Sequence, residues 1–202
     1  YIRRHNQLID RATNSGMGEE EKNHWIGVSR FLRGMEYAKL VQNFGDVPWF
    51  DQVIENTDYE NLYKPRDSRS TVMDNVLADL QFACDNIRES DGQAGLTINK
   101  AVALAFTSRL MLFEGTWQKY REHNNELAKK YLQAAKDAAD KLLAMGKYSI
   151  HSDWKELTSS ISLAGNPEVI LYREYEMGVK THSLMSFQNT EAEGSSPSRS
   201  LV

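Results

Sequence analysis

Cysteine is almost missing: Cys84 stands alone in 202 residues. A single thiol excludes an internal disulfide and any metal cluster built on cysteine. It falls on the apolar stripe Met73, Leu77, Leu80, Cys84, Ile87 of a helical pattern, the setting of a buried, inert thiol. Excess positive charge is lacking too. With 24 Lys and Arg against 28 Asp and Glu, the net charge is −4, and the basic runs "YIRRH" and "AKKY" are short. Displacing counterions from phosphates requires a basic surface, so nucleic acid is excluded as a partner. The longest apolar run, "AVALAF", falls far short of the ~18–20 residues that cross a bilayer. The first residues already follow a helical pattern (Ile2, His5, Leu8 or Ile9, Ala12), and an apolar pair ends the chain after a Ser-rich stretch. A piece of a longer protein is the expectation.

Signatures of catalysis are absent as well. The sequence holds no Gly-x-Ser-x-Gly elbow, no Gly-x-x-x-x-Gly-Lys loop and no His-Glu-x-x-His. His5, His24, His123, His151 and His182 are scattered, with no two at i, i+4, so no metal or other cofactor is expected. Carboxylates such as Asp58 and Glu60 share a loop, but a glycosidase pair is defined by separation across a sugar, which spacing in a loop does not supply.

What the chain does have is helical periodicity. After "NSGMG", Glu19, Glu20 and Glu21 suit a helix N-terminus, and the stripe Trp25, Val28, Leu32, Met35, Ala38 carries the helix to about Asn43, where Gly45 stops it. Asp67 or Ser68 can cap the helix of Cys84. Thr97 can cap a third long helix whose stripe is Val102, Phe106, Leu110, Phe113 and Trp117. A fourth, from about Asn125 to Met145, turns Leu127, Tyr131, Ala134, Ala138 and Leu142 inward and ends at Gly146. Ala101, Ala105, Ala134, Ala135, Ala138 and Ala139 would let the last two helices cross closely. Helix pairs of this kind build tetratricopeptide-like arrays. The period then changes: "NPEVILYREYE" is rich in β-branched and aromatic residues and predicts a strand. The expected fold is therefore mainly α, a TPR-like array of antiparallel helices with a short strand and irregular loops near the C-terminus. Its helical region covers about 1–147 and its strand and loop segment about 148–202.

Aromatic residues divide into two groups. Trp25, Phe106, Phe113 and Trp117 lie on helical stripes and belong to the core. Trp49, Phe50, Tyr59 and Tyr63 fall in the connection after "FGDVPWF", beside Asn56, Asp58 and Asn61. Flat rings stack on the C–H face of a pyranose while amides and carboxylates take its hydroxyls, so Trp49 and Tyr59 are candidate sugar contacts. The favoured reading is that this loop folds back on the helices, with Val47, Trp49 and Phe50 packed against the neighbouring helix pair and Asp46 capping the turn.

"SRFLRGMEYAKLVQNFGDVPWF" (29–50) looks like the Phe-Leu-Arg helix running into Phe-Gly-Asp-Val-Pro of the RagB/SusD family. "INKAVALAFTSRLMLFEGTW" (98–117) is similar to its Leu-x-Ala-Arg helix ending in Gly-x-Trp, although "AFTSRL" places Thr107 and Ser108 where Lys-Ala or Leu-Ala is usual. "AAKDAADKLLAMGKYSI" and "NPEVILYREYE" resemble, in the same order, the helix ending in Gly-x-Tyr and the Glu-Val-Ile strand. The resemblance implies one SusD-like domain of which 1–202 is a part: a non-catalytic, surface-exposed outer-membrane lipoprotein of Bacteroidetes-type bacteria. It would capture oligosaccharide or another nutrient and deliver it to a SusC-like TonB-dependent transporter, with its lipid anchor outside this fragment. The family's ligand-binding loops imply His182, Phe187, Gln188 and Asn189, after the expected strand, as further contacts. A TPR-like interaction scaffold without a sugar site is the rival reading, and a carbohydrate-active enzyme the other.

Overall fold

The computed structural model describes residues 1–181, apart from Asp91, Ala94, Ile161, Met177 and Gly178 and the side chain of Thr158. Two compact units divide the chain, Tyr1–Leu171 and Tyr172–Val202. The first contains α1 (Ile2–Thr13), α2 (Glu19–Phe44), the single turn α3 (Tyr59–Leu62), α4 (Arg69–Asn86), α5 (Lys100–Tyr120), α6 (Asn125–Ala144) and the short α7 (Trp154–Ser159). In the second, an isolated antiparallel bridge joins Glu176 and Lys180.

Local chemistry sets the helix ends. The three acids expected at the start of α2 occupy its first turn, and Gly45 ends it at φ 71°, a left-handed conformation that glycine adopts without strain. Ser68 caps α4 by accepting from the Thr71 amide. At α5 the cap is Asn99, which accepts from the Val102 amide, and not Thr97. Asn124 caps α6, and Gly146 follows its end at φ 61°.

Successive long helices pack on one another: α1 on α2, α2 on α4, α4 on α5 and α5 on α6. This is the TPR-like array expected from the sequence, and its core is one continuous cluster. The face of α4 is the expected one, with Met73, Leu77, Leu80 and Cys84 all buried and Ile87 beyond the last turn. The α5–α6 pair has Ala101, Ala135 and Ala138 buried and Ala105, Ala134 and Ala139 half-buried. The pair packs closely at Gly115, where an added Cβ would lie 2.7 Å from Leu132 Cγ.

Two expected faces are displaced. Trp25 is 38% exposed, while His24, Gly27, Phe31, Gly34, Ala38 and Val41 line the buried side of α2. On α5, Phe113 is 42% exposed, and the buried seam is Leu104, Thr107, Met111, Glu114 and Gln118. Polar residues enter both seams because partners satisfy them. Ser29 donates to His5 O (3.0 Å), His24 Nδ1 accepts from the Arg88 amide (3.2 Å), and Arg69 clasps Glu114 (2.7 Å), which also accepts from Gln118 (2.8 Å). Among the described residues no buried side-chain polar atom lacks a hydrogen-bond partner.

The expected strand over 166–176 is not formed, and no strand occurs among the described residues. β-Propensity is a fit to a pleated neighbour and needs an edge to pair with. Here Val169 and Ile170 instead face a cleft of about 450 Å³ walled by Val102 and Phe106 of α5. Two bonds tie the segment down, Ser149 N to Pro167 O (3.0 Å) and His151 N to Glu168 Oε2 (2.8 Å), without starting a ladder.

Candidate functional site

The connection from Gly45 to Asp67 joins α2 to α4 and carries two of the expected sugar contacts. Its backbone groups are met largely by side chains of the flanking helices. Asp46 Oδ1 accepts from the Arg69 amide at 2.7 Å, so Asp46 serves the start of α4 and not its own turn. Val47 is buried and bridges Asp67. The Trp49 amide donates to Asp67 Oδ2 (2.7 Å), and its carbonyl accepts from Lys64 Nζ (2.7 Å). Phe50 N donates to the Tyr37 hydroxyl (2.6 Å). Buried Asn6 of α1 donates to Phe50 O (3.0 Å) and Gln52 O (2.8 Å), Arg33 Nη1 donates to Asp51 O (3.1 Å), and Arg3 donates to Ile54 O.

Arg33 links this loop to the array. Its guanidinium lies 5.2 Å over the Trp49 ring, gives Nη1 to Asn6 Oδ1 (2.8 Å), and meets Asp79 of α4 through Nε (2.7 Å) and Nη2 (2.8 Å). Arg30 adds a third bond to Asp79 (2.7 Å). A buried carboxylate held by two guanidinium groups is a satisfied structural charge. The hydrogen bond from Lys64, then that from the Trp49 amide, holds the Asp67 carboxyl below the usual carboxylate range. Burial pushes the Tyr37 hydroxyl up to about 12.

The loop thereby sorts its aromatic residues. Trp49 packs on the core, its ring 4.2 Å from that of Tyr37. Tyr59 stands 66% exposed on α3, and Tyr63, one turn later, 82% exposed. Their rings are nearly parallel, 14° apart in plane and 6.5 Å between centroids. Asp58 fixes the turn, accepting from Asn61 N (3.2 Å) and Asn61 Nδ2 (2.7 Å). Behind it, Leu62 lines an apolar cleft of about 400 Å³ with Ile2, Pro48, Phe50 and Ile54. The pairing of Tyr63 with Tyr59 was missed in the sequence. Its signal was the i, i+4 spacing, informative only once a helical turn is known to lie there. His182, Phe187, Gln188 and Asn189 lie outside the described residues.

Chemically, this region offers ring faces and carboxylates. Among the described residues no group of three or more His, Cys, Asp or Glu could hold a metal ion, and no helix is long and apolar enough to cross a membrane.

Known proteins extend the picture. No family model matches the chain. It is 28% identical over 127 residues to SusD-like protein P2 of Formosa agariphila, a stretch that is 60% of this chain and 25% of that protein. The crystal structure of a SusD-like protein from Bacteroides fragilis superposes with a TM-score of 0.60 at 26% identity, covering 74% of this chain and 26% of that one. A laminarin-binding SusD-like protein has a TM-score of 0.66 at 22% identity, covering 84% of this chain and 34% of that one. The chain thus spans about a quarter to a third of the length of these proteins.

Proposed function

Since the chain is a SusD-like protein covering a fraction of the length of its relatives, we propose that it belongs to a surface glycan-binding protein that captures oligosaccharide without cleaving it. In this reading the complete protein is a lipid-anchored lipoprotein of the outer membrane. It passes its ligand to a SusC-like TonB-dependent transporter, and residues 1–202 form part of one larger domain. The observation that carries the proposal is the match to SusD-like protein P2, joined to an array whose buried charges are all engaged in holding helices together. A helix array of this kind supplies rigid placement, and binding falls to loops on its rim. His182, Phe187, Gln188 and Asn189 are proposed contacts in one such segment.

Affinity electrophoresis of the full-length protein tests this. Retardation in gels containing laminarin or xyloglucan, with no release of reducing ends from either, is the expected result. Released reducing ends would make it an enzyme. A protein retarded by no polysaccharide of a broad panel would refute glycan capture and leave the interaction scaffold.

A further inference from the structure

Among the described residues, Tyr59 of α3 and Tyr63 just past its end pack on each other and are otherwise exposed. The other large apolar side chains of the loop are engaged: Val47 and Ile54 are buried, Trp49 lies on the core, and Phe50 lines the cleft under Lys64, whose Nζ is 5.2 Å from the ring centroid. Tyr59 and Tyr63 are exposed beside one another, and among the described residues neither hydroxyl has a hydrogen-bond partner. Exposing two large rings side by side loses the burial they could have had in the adjacent apolar cleft, which Leu62 lines. Two near-parallel rings, each with a polar tip, form a shallow platform that is wet at its edges and apolar on its faces.

The charge around the platform selects what it can hold. Asp51, Glu55, Asp58 and Glu60 precede or lie within α3, against Lys64 and Arg66 after it. Lys64 is turned inward, its ammonium on Trp49 O and Asp67 Oδ2. With Arg66 and with Arg3 on Ile54 O, the four carboxylates leave the local surface weakly acidic, which disfavours sulfated or uronate chains at short range. A neutral sugar chain meets no such penalty and can use the outward carboxylates as acceptors for its hydroxyls.

We propose that Tyr59 and Tyr63 form a stacking subsite for a neutral polysaccharide, each ring face taking a sugar of the same chain; this rests on the glycan-capture reading. The test uses the full-length protein, with Tyr59→Ala, Tyr63→Ala and the two Phe counterparts. Each is run in gels containing laminarin, xyloglucan or polygalacturonate, beside thermal melts. Each Ala variant is expected to weaken binding to at least one neutral polysaccharide about tenfold, the order expected for one lost aromatic contact. Its melting temperature should stay at the wild-type value, and the Phe variants should keep most of the binding. A bound neutral polysaccharide should also shield both tyrosines from nitration, which tests the subsite without any substitution. Wild-type retardation that both Ala variants retain, or nitration unchanged by ligand, would overturn the subsite and leave glycan capture standing. A wild type retarded by no polysaccharide would overturn both. Binding to polygalacturonate as strong as to neutral chains would overturn the charge argument and with it the proposed ligand class.

Discussion

Gly115 is a close-packed point of the α5–α6 pair, and replacing it with alanine opposes two effects of known size. Alanine in a helix interior gains about 0.5–1 kcal/mol over glycine through backbone entropy. The new Cβ would stand 2.7 Å from Leu132 Cγ, 2.8 Å from Cδ2 and 3.0 Å from the Leu132 backbone nitrogen. Cγ is not the free end of the side chain and the nitrogen cannot rotate away, so the helices must separate. Overpacking of this kind costs roughly 1–3 kcal/mol, and the cost wins. A net loss of about 0.5–2 kcal/mol corresponds to a melting temperature lower by roughly 1–8 °C for a chain of this size. Gly34 is the internal comparison. Its added Cβ meets Leu80 at 3.5 Å, an ordinary contact, so Gly34→Ala keeps the entropy gain and melts at or above wild type. Thermal melts by circular dichroism rank the three proteins. If Gly115→Ala melted as high as Gly34→Ala, the close approach of α5 and α6 would be wrong.

Three further outcomes follow from the interior. Asp79→Ala strands Arg33, 4% exposed, without its carboxylate. A loss of about 3–5 kcal/mol in urea unfolding is expected, and one below about 1 kcal/mol would refute a buried pair. Cys84 is 5% exposed, 3.3 Å from the Thr107 hydroxyl, and burial raises its pKa, so a thiol reagent should label it slowly in the native state and quickly in urea. Rapid native labelling would move the register of α4. Tyr37, raised to about 12 in the folded state, binds a proton more tightly there than in the unfolded chain, whose phenol titrates near 10. Its contribution is therefore complete below about pH 10 and is lost as pH rises toward about 12. Tyr37→Phe should lose less stability than wild type between pH 8 and 11, by urea midpoints; equal losses would contradict the assignment.

Local features of the chain were enough to delimit the helices. Acids at Glu19–Glu21, the serine before α4, and glycines at 45 and 146 act within a turn of where they stand, so their effect is readable without the fold. The apolar stripe of α4, Cys84 included, is readable for the same reason. Its buried face is almost purely hydrophobic, and periodicity alone identifies it. The TPR-like class followed from those helices and their alanines.

Which face of α2 and α5 turns inward was settled only in three dimensions. A hydrophobic pattern assigns His24, Ser29, Arg33, Thr107, Glu114 and Gln118 to the outside, yet all six are buried. Partners supplied by other helices make most of that burial affordable: His5 O for Ser29, Asp79 for Arg33, Arg69 for Glu114, 24 to 46 residues away in the chain. Trp25 and Phe113 are turned toward solvent as a result. The same dependence governs the candidate site. The turn after Gly45 marks Trp49, with Val47 and Phe50, as an anchor, but nothing local says which way Tyr59 and Tyr63 turn. Trp49 goes inward because Tyr37 and Arg33 lie beneath it, and Tyr59 and Tyr63 stay outside on a turn whose Leu62 lines the cleft. Residues 166–176 carry the composition of a strand, but a strand exists only where a second edge completes its hydrogen bonds, and the wall that Val169 and Ile170 meet is the helix α5.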